Sequence, residues 1–600
     1  MKRIAILVSL LLVAGLAFAA DGMFPGPGWK EKPNPLAGAH AQRGGQMASF
    51  LGPSPKSLNY YLESSSLASE VFGLMYESLL GMDPVTLEYI PGLAAKWSIS
   101  ADKRTYAFYM DKKAKWSDGR PVTAKDVKFT FDAILDPKNM TGSHKVALAR
   151  FSSPVVVNAS TIRFTAKEVH WKNLLALGGF QILPAHAWAG QDFNKVNFSF
   201  PVVSGPFKMG AYKQGVSLTM LRRNDWWSAA SPGAKGTYNF DRLHFLFYEE
   251  RENAFEAFKK GAFDLYPIYT SRMWVKETTG EKFQKNLIVK QRVHNHNPVG
   301  FQGFAMNMRR APFNDLRVRK AMALLLDRPK MNATIMYNQY FLQNSYYQDL
   351  YSPPSSCPNP QTPFDKNAAR KLLAQAGWKA DPKTGILMKA GKPFRFQFLS
   401  RDASSGKFLS IYQQDLKDVG ISMEIVVKDW AAWMKDMENY SFEMTWAAWG
   451  AGLFKDPETM WSSKEAARTA GDNITGFADK AVDQLIEKQK TLFSVAARHD
   501  ICRKIDKLVF AQYPYALLWN IDYVRLLYWN RLATPDWVLS KYGDESSANA
   551  LWWIDPDDQA AFDDALRKGT SLPARPGAVV FSKVFRQRAQ LVPARIQPLT

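Results

Sequence analysis

The stretch from Gly92 to Leu135 constrains this chain most, because three kinds of local signal follow one another in it without a gap. Thr105 to Met110 alternates, placing Tyr106, Phe108 and Met110 on one side of an extended strand, so one face of a sheet is buried there. Asp118-Gly119 makes a tight turn, since glycine takes positive φ without a Cβ penalty. Thr123 stands three residues before Asp126, a capping-box-like start for a helix whose apolar stripe is Val127, Phe129, Phe131, Ile134 and Leu135, and Pro137 stops it. Taken alone this is a folded strand-turn-helix unit, which an ordinary scaffold would share.

The chain begins with Lys2 and Arg3, an apolar run from Ile4 to Ala20, and small residues at Ala17 and Ala19. That is the three-part layout of a secretory signal peptide, residues 1–19, with cleavage expected after Ala19. The run falls short of the roughly 20 apolar residues that span a bilayer comfortably, and no cysteine near the cleavage point offers a lipid anchor. The mature chain is then a large exported protein, long enough for two or three packed domains. Only Cys357 and Cys502 are available for oxidation, and both a bridge and a free thiol buried in the helical pattern around Ile501, Ile505 and Val509 are open readings. The net charge of +22 comes from basic residues spread along the chain and interrupted by Asp and Glu, without a Lys/Arg block interleaved with aromatics. A solvated basic surface that helps collect acidic ligands is expected, and no nucleic acid partner.

Asp21 to Gly45 is rich in Pro, Gly and Ala and reads as an extended arm before the first strand. Leu67 to Leu80 carries apolar residues at helical spacing, and Val155 and Ile162 to Phe164 read as strands. The order strand Leu243 to Tyr248, helix Glu252 to Lys260, then Gly261 to Asp264 fits a crossover unit in a mixed sheet; Phe394 to Val427 repeats it. Asn314 is placed to cap the following helix, with Asp315 at its positive end.

The segments LAAKW, the alternating strand, and KWSDGRPVTAKDVKFTFD together resemble the signature of family 5 of the bacterial extracellular solute-binding proteins, the oligopeptide- and dipeptide-binding receptors of ABC importers. Val203 to Trp227 and Phe304 to Ile335 resemble further blocks of that family, so the likeness covers nearly all of the mature chain. Tyr337 to Leu350 and Tyr513 to Trp529 look most like its microcin C-type peptide-binding branch. The resemblance implies an α/β fold of the periplasmic-binding-protein type II-like kind, two lobes built from three domains with mixed sheets. The domains implied are a discontinuous first one (20–76, 201–297 and 531–600), a second at 77–200 and a third at 298–530.

No catalytic constellation is present: no Gly-x-Ser-x-Gly elbow, His-Glu-x-x-His pair or Walker loop, and Asp555, Asp557 and Asp558 read as a solvated turn. No metal or cofactor is expected. His294 and His296 share one side of a strand, but a two-imidazole site needs further ligands that the sequence does not identify, and a polar interdomain crossing is the expected role. The 13% aromatic content clusters late, at Trp430, Trp433, Trp446, Trp449, Trp461, Trp519 and Trp529, and most of these are expected in cores. Trp446 to Trp461 is a strand running into a Gly-rich loop, where relatives expose an aromatic wall to the ligand. Many relatives carry an aspartate just after this Trp-Gly step for the ligand's α-amino group; here the sequence is Gly450-Ala451-Gly452, and Asp456 is the nearest carboxylate.

The resemblance therefore implies a periplasmic, monomeric, non-enzymatic receptor that closes on a peptide or peptide-like solute and delivers it to an ABC importer permease in the inner membrane. Oligosaccharide or metal-complex ligands on the same fold, and a secreted enzyme, are the alternatives. The ligand-binding residues expected are Asn59, Tyr60, Asn307, Trp446, Trp449, Gly450, Asp456 and Asn473.

Overall fold

A computed structural model describes residues 22–591 except 63, 64, 66, 67, 200 and 353. The expected signal peptide lies outside the described residues. The opening signature folds as its periodicity requires: the strand Thr105–Met110 buries Tyr106, Phe108 and Met110. Gly119 turns the chain at φ +84°. The helix Ala124–Leu135 starts at a capping box in which the Asp126 carboxylate accepts from the Thr123 backbone N–H at 2.8 Å. That pairing satisfies donors a helix start leaves open.

Three sheets organise the molecule. An all-antiparallel one runs Met23–Phe24, Ala94–Ile99, Thr105–Met110, Thr161–Thr165, Val155–Asn158. The arm therefore supplies an edge strand, pinned by Phe24 stacked on Trp97 at 5.7 Å. A mixed sheet of eight strands runs Ala578–Val580, Ile288–His294, Val524–Trp529, Leu265–Pro267, Gln46–Leu51, Arg242–Phe247, Ser217–Arg222, Phe207–Lys213. It gathers strands from both ends and the middle of the chain. The crossover expected after Leu243 is present: Arg242–Phe247 and Leu265–Pro267 both lie parallel to Gln46–Leu51, joined by the helix Arg251–Lys259. The third sheet runs Ser422–Val427, Arg395–Ser400, Met444–Trp449, Phe301–Met306, Tyr515–Leu517, its first three strands parallel.

One apolar core runs from the small antiparallel sheet into the eight-stranded sheet, joining Trp97 and Phe108 to Leu243 and Tyr528. Two separate cores cover the two faces of the third sheet. The result is two α/β lobes. The polypeptide passes between them twice, at 295–300 and at 521–523.

Some local expectations change. Residues 68–75 form a π turn, Ala68–Phe72, and a single α turn, Gly73–Met75, before an extended strand at Leu80–Met82, in place of one helix reaching Leu80. The cap of the helix Leu316–Leu324 is Asp315, which accepts from Arg317 N at 2.9 Å. Asn314 points to solvent because its neighbour Phe313 is fully buried. Asp555 caps the helix Pro556–Lys568 by accepting from Asp557 N and Asp558 N, which gives this acidic run a structural role. Cys357 and Cys502 are both buried free thiols. Of the late tryptophans, Trp433, Trp461, Trp519 and Trp529 are buried, whereas Trp430 is 58% exposed.

Candidate ligand-binding cleft

Strand direction fixes which edges of the lobes face each other. Arg395–Ser400, Ser422–Val427 and Met444–Trp449 run parallel, so Ser400, Val427 and Trp449 end on one edge. The crossing segment 295–300 enters at that same edge, where Phe301 pairs with Trp449. In the eight-stranded sheet the carboxyl ends at Leu51, Phe247, Pro267 and His294 share an edge with the start of Val524–Trp529. In open α/β sheets ligands sit beyond the carboxyl ends of strands, and here two such edges meet at the crossings. Gly300 is pressed against the Trp449–Gly450 step so closely that a Cβ would overlap the Trp449 carbonyl oxygen. Only glycine fits that approach.

The lobes touch beside the crossings, where Tyr340 of the second lobe meets Arg525 and Tyr269 of the first, and also through a separate contact made by Trp171. His170-Trp171-Lys172, ahead of the helix Lys172–Gly179 in the first lobe, reaches into the second. Trp171 is 6% exposed. Its backbone N–H donates to the Lys490 carbonyl at 3.0 Å and its indole Nε1–H to Gln489 Oε1 at 3.0 Å. The Arg498 guanidinium lies 4.2 Å from its ring, and Phe454 packs beside it. Gln489 in turn donates to the Lys455 carbonyl at 2.8 Å, tying the tryptophan's partner to the Gly-rich loop. Beside it Lys172 pairs with Asp456, and Glu458 accepts from Lys490 at 2.7 Å with Arg150 3.9 Å away. Burial, then the Arg150 charge, pushes the Lys172 amine down to about 8. Burial, followed by Arg150, Lys172, Lys490 and Arg498, pushes His170 down to about 3. Burial opposes ionisation of Glu458, but Lys490's hydrogen bond and the surrounding cations hold its pKa below the ordinary carboxylate value.

The expected site residues fall into different places. Gly450 is exposed at the cleft edge with open space where a Cβ would stand. Trp449 is beside it, its Nε1–H donating to the Tyr515 hydroxyl at 3.1 Å. Trp446 lies on the opposite face of the same strand, donating to Gln302 Oε1 and packing on Phe304, Phe408 and Trp519. The two tryptophans therefore do not form one wall. Asp456 is spent on the interlobe ion pair. Tyr60 is half-buried, edge-on to Tyr61 and Phe72. Asn59 is fully buried, donating to the Phe193 carbonyl and accepting from Tyr61 N. Asn307 donates to the Tyr440 and Phe442 carbonyls, and Asn473 to those of Ser462 and Phe477. Asn307 follows Met306, at the far end of its strand, about 17 Å from the cleft edge at Phe301; Arg309 links it to Asn473. These two amides brace the outer side of the second lobe. His294 lies 3.8 Å from Asp522 at the second crossing, and His296 packs on Tyr542 and Phe581.

Sequence reasoning missed Trp171, Lys172, Gln489, Lys490 and Arg498. The signal available was weak, a tryptophan set among the polar residues His170, Lys172 and Asn173 just ahead of the apolar run Leu174-Leu175-Ala176-Leu177.

Comparison with known proteins fits this geometry. The uncharacterised protein YejA of Escherichia coli strain K12 is 26% identical over 521 residues, covering 80% of this chain and 84% of YejA. The peptidoglycan-binding protein YepA of Agrobacterium fabrum strain C58 is 24% identical over 511 residues, covering 78% and 83%. The structure of the oligopeptide-binding protein AppA from Bacillus subtilis, in complex with a nonapeptide, shares the fold with a TM-score of 0.67 at 20% identity, covering 86% of this chain and 100% of AppA. The model of the middle region of the bacterial extracellular solute-binding proteins, family 5, matches residues 88–471, from the opening signature through the Gly-rich loop. With that match spanning more than half of its length, the chain belongs to the bacterial extracellular solute-binding proteins, family 5.

Proposed function

We propose that this solute-binding protein is the periplasmic receptor of an ABC importer, capturing peptides or peptide-like solutes by closing its lobes and passing them unaltered to an inner-membrane permease. The observation that carries the reading is the burial of Trp171 by the opposite lobe, in a molecule whose polypeptide, among the described residues, passes between the lobes twice. A contact of that kind forms when lobes close and is lost when they part, so closure is favoured by whatever adds contacts to the closed form alone. Export with cleavage after Ala19 and action as a monomer belong to the same reading, as does the three-domain division drawn from the sequence. No helix among the described residues is long and apolar enough to cross a membrane. Gly450, with its open surroundings, Trp449 and Tyr60 are the ligand contacts retained in the reading.

A second reading, a sugar-bearing peptide such as a cell-wall fragment, is favoured by Trp430. It stands exposed just beyond the carboxyl end of Ser422–Val427, stacked on Trp433 at 5.3 Å, and offers a flat face to a saccharide ring. The name of the relative YepA points the same way. Isothermal titration of refolded, ligand-free protein against synthetic peptides and muropeptides tests both, with mass spectrometry of the recovered ligand. Binding with recovery of intact ligand is expected. Turnover, or binding of neither class, would reject the reading.

A further inference from the structure

Among the described residues, no carboxylate lies within ion-pair distance of the buried charge at the crossings. Arg525, in the strand Val524–Trp529, is 1% exposed, and its Nε and Nη2 atoms make no hydrogen bond. Its Nη1 reaches the Tyr340 hydroxyl at 3.2 Å and, weakly, the Tyr269 carbonyl at 3.5 Å. Tyr340 and Tyr523 flank the guanidinium with their rings, at 5.0 and 5.6 Å. Arg292, its register partner on the neighbouring strand, adds a second positive charge, and Lys276 a third over Tyr337. The acids around it are directed elsewhere: Glu277 pairs with Arg272 at 3.0 Å, Asp522 faces His294, and Glu545 accepts from the Tyr269 hydroxyl at 2.6 Å. A buried guanidinium without a carboxylate is costly, and aromatic faces compensate it less well than an anion does.

The position explains how an anion would reach it. Arg525 and Tyr269 belong to the first lobe, and Tyr340 to the second, so parting the lobes lifts Tyr340 off and uncovers the guanidinium. We propose that Arg525 receives a carboxylate of the incoming solute, with Tyr340 closing over the pair. The inference rests on the receptor reading above and adds to it the chemical class of one ligand group. Planar guanidinium and carboxylate match as a two-point fork, and Nε with Nη2 is the edge left unused here.

The test uses full-length mature protein, unfolded and refolded to remove bound material, and isothermal titration with two panels. One is a set of tripeptides and tetrapeptides as free acids and as C-terminal amides; the other is non-peptide mono- and dicarboxylates. Wild type should prefer free acids, and Arg525→Gln should lose about 10- to 100-fold for them while changing little for amides. Arg525→Lys should recover part of the loss. Equal binding of acids and amides by wild type would overturn the proposal without any variant, as would wild-type affinity for acids in Arg525→Gln, or no carboxylate bound from either panel. If only non-peptide carboxylates bind and Arg525→Gln loses them, the subsite stands and the peptide reading falls.

Discussion

Trp171 in the first lobe donates its indole N–H at 3.0 Å to Gln489 in the second, 318 positions further along the chain. The tryptophan is packed as tightly as a core residue, yet its partners belong to the other lobe. It acts as a key whose seating defines the closed form.

Trp171→Ala should therefore weaken closure more than folding. Truncating a buried tryptophan costs about 3–5 kcal/mol in a core, but here the loss falls on the open–closed balance. Ligand affinity should drop by about 100-fold or more, with the unfolding midpoint of ligand-free protein shifting little. Solution scattering should show a larger radius of gyration for the variant at the ligand concentration that compacts wild type.

The Lys172–Asp456 pair separates a closing contact from a ligand contact. Both side chains are mostly shielded, so their coupling should exceed that of exposed pairs, at about 1–2 kcal/mol. Lys172→Asp and Asp456→Lys should each weaken ligand binding, and the swapped double variant should recover much of it. A double-mutant cycle on ligand affinity checks this; no recovery would mean that Asp456 meets the ligand directly.

Acid should open the lobes. His170, held down to about 3 chiefly by burial in the seam, takes a proton below its ordinary value near 6.5 once parting of the lobes re-exposes it and withdraws Lys490 and Arg498, so the closed form binds fewer protons between those limits. Closure contributed by this group is complete above about 6.5 and is lost progressively as pH falls toward 3. Glu458, with a lowered pKa, adds in the same direction below the ordinary carboxylate value, 4.5. Lys172, at about 8, keeps its charge through this range. Interlobe energy transfer at pH 5 should report a more open population than at pH 7.5, and His170→Gln should flatten the part of the profile above pH 4.5.

Asp506 ties the segment around Ser345–Asn359 to the helix Val495–Gln512. Its carboxylate accepts from Ser345 Oγ, Tyr346 N, Tyr351 hydroxyl and Asn359 Nδ2, at 2.8 to 3.2 Å. Asp506→Asn turns an amide NH₂ toward these donors and should cost about 3–5 kcal/mol in denaturant unfolding.

Much of the architecture could be read in advance because it rests on local periodicity. Tyr106, Phe108 and Met110, the Thr123–Asp126 box, and the strand-helix-strand order after Leu243 each carry their own signal. The membership that LAAKW and KWSDGRPVTAKDV suggested is confirmed by the family match over 88–471. The cleft was less legible because its contacts are long-range. Asn59, Asn307 and Asn473 look like ligand amides in sequence, but each serves backbone carbonyls of its own surroundings. Trp446 and Trp449 are three apart on a strand, a spacing that sends them to opposite faces. Trp171 meets residues more than 300 positions away, which no local pattern encodes. Arg525 did leave a trace, a lone charge in the buried run Val524–Trp529.

The account stands or falls on whether the lobes move about the two crossings when a solute enters. Refolded, ligand-free protein carrying a dye on each lobe, with energy transfer followed as the peptide and carboxylate panels are added, measures this directly. Saturating, reversible passage from a low- to a high-transfer state, with the ligand recovered intact, is the predicted result. One unchanging distance at every ligand concentration, or recovery of a chemically altered ligand, would contradict it.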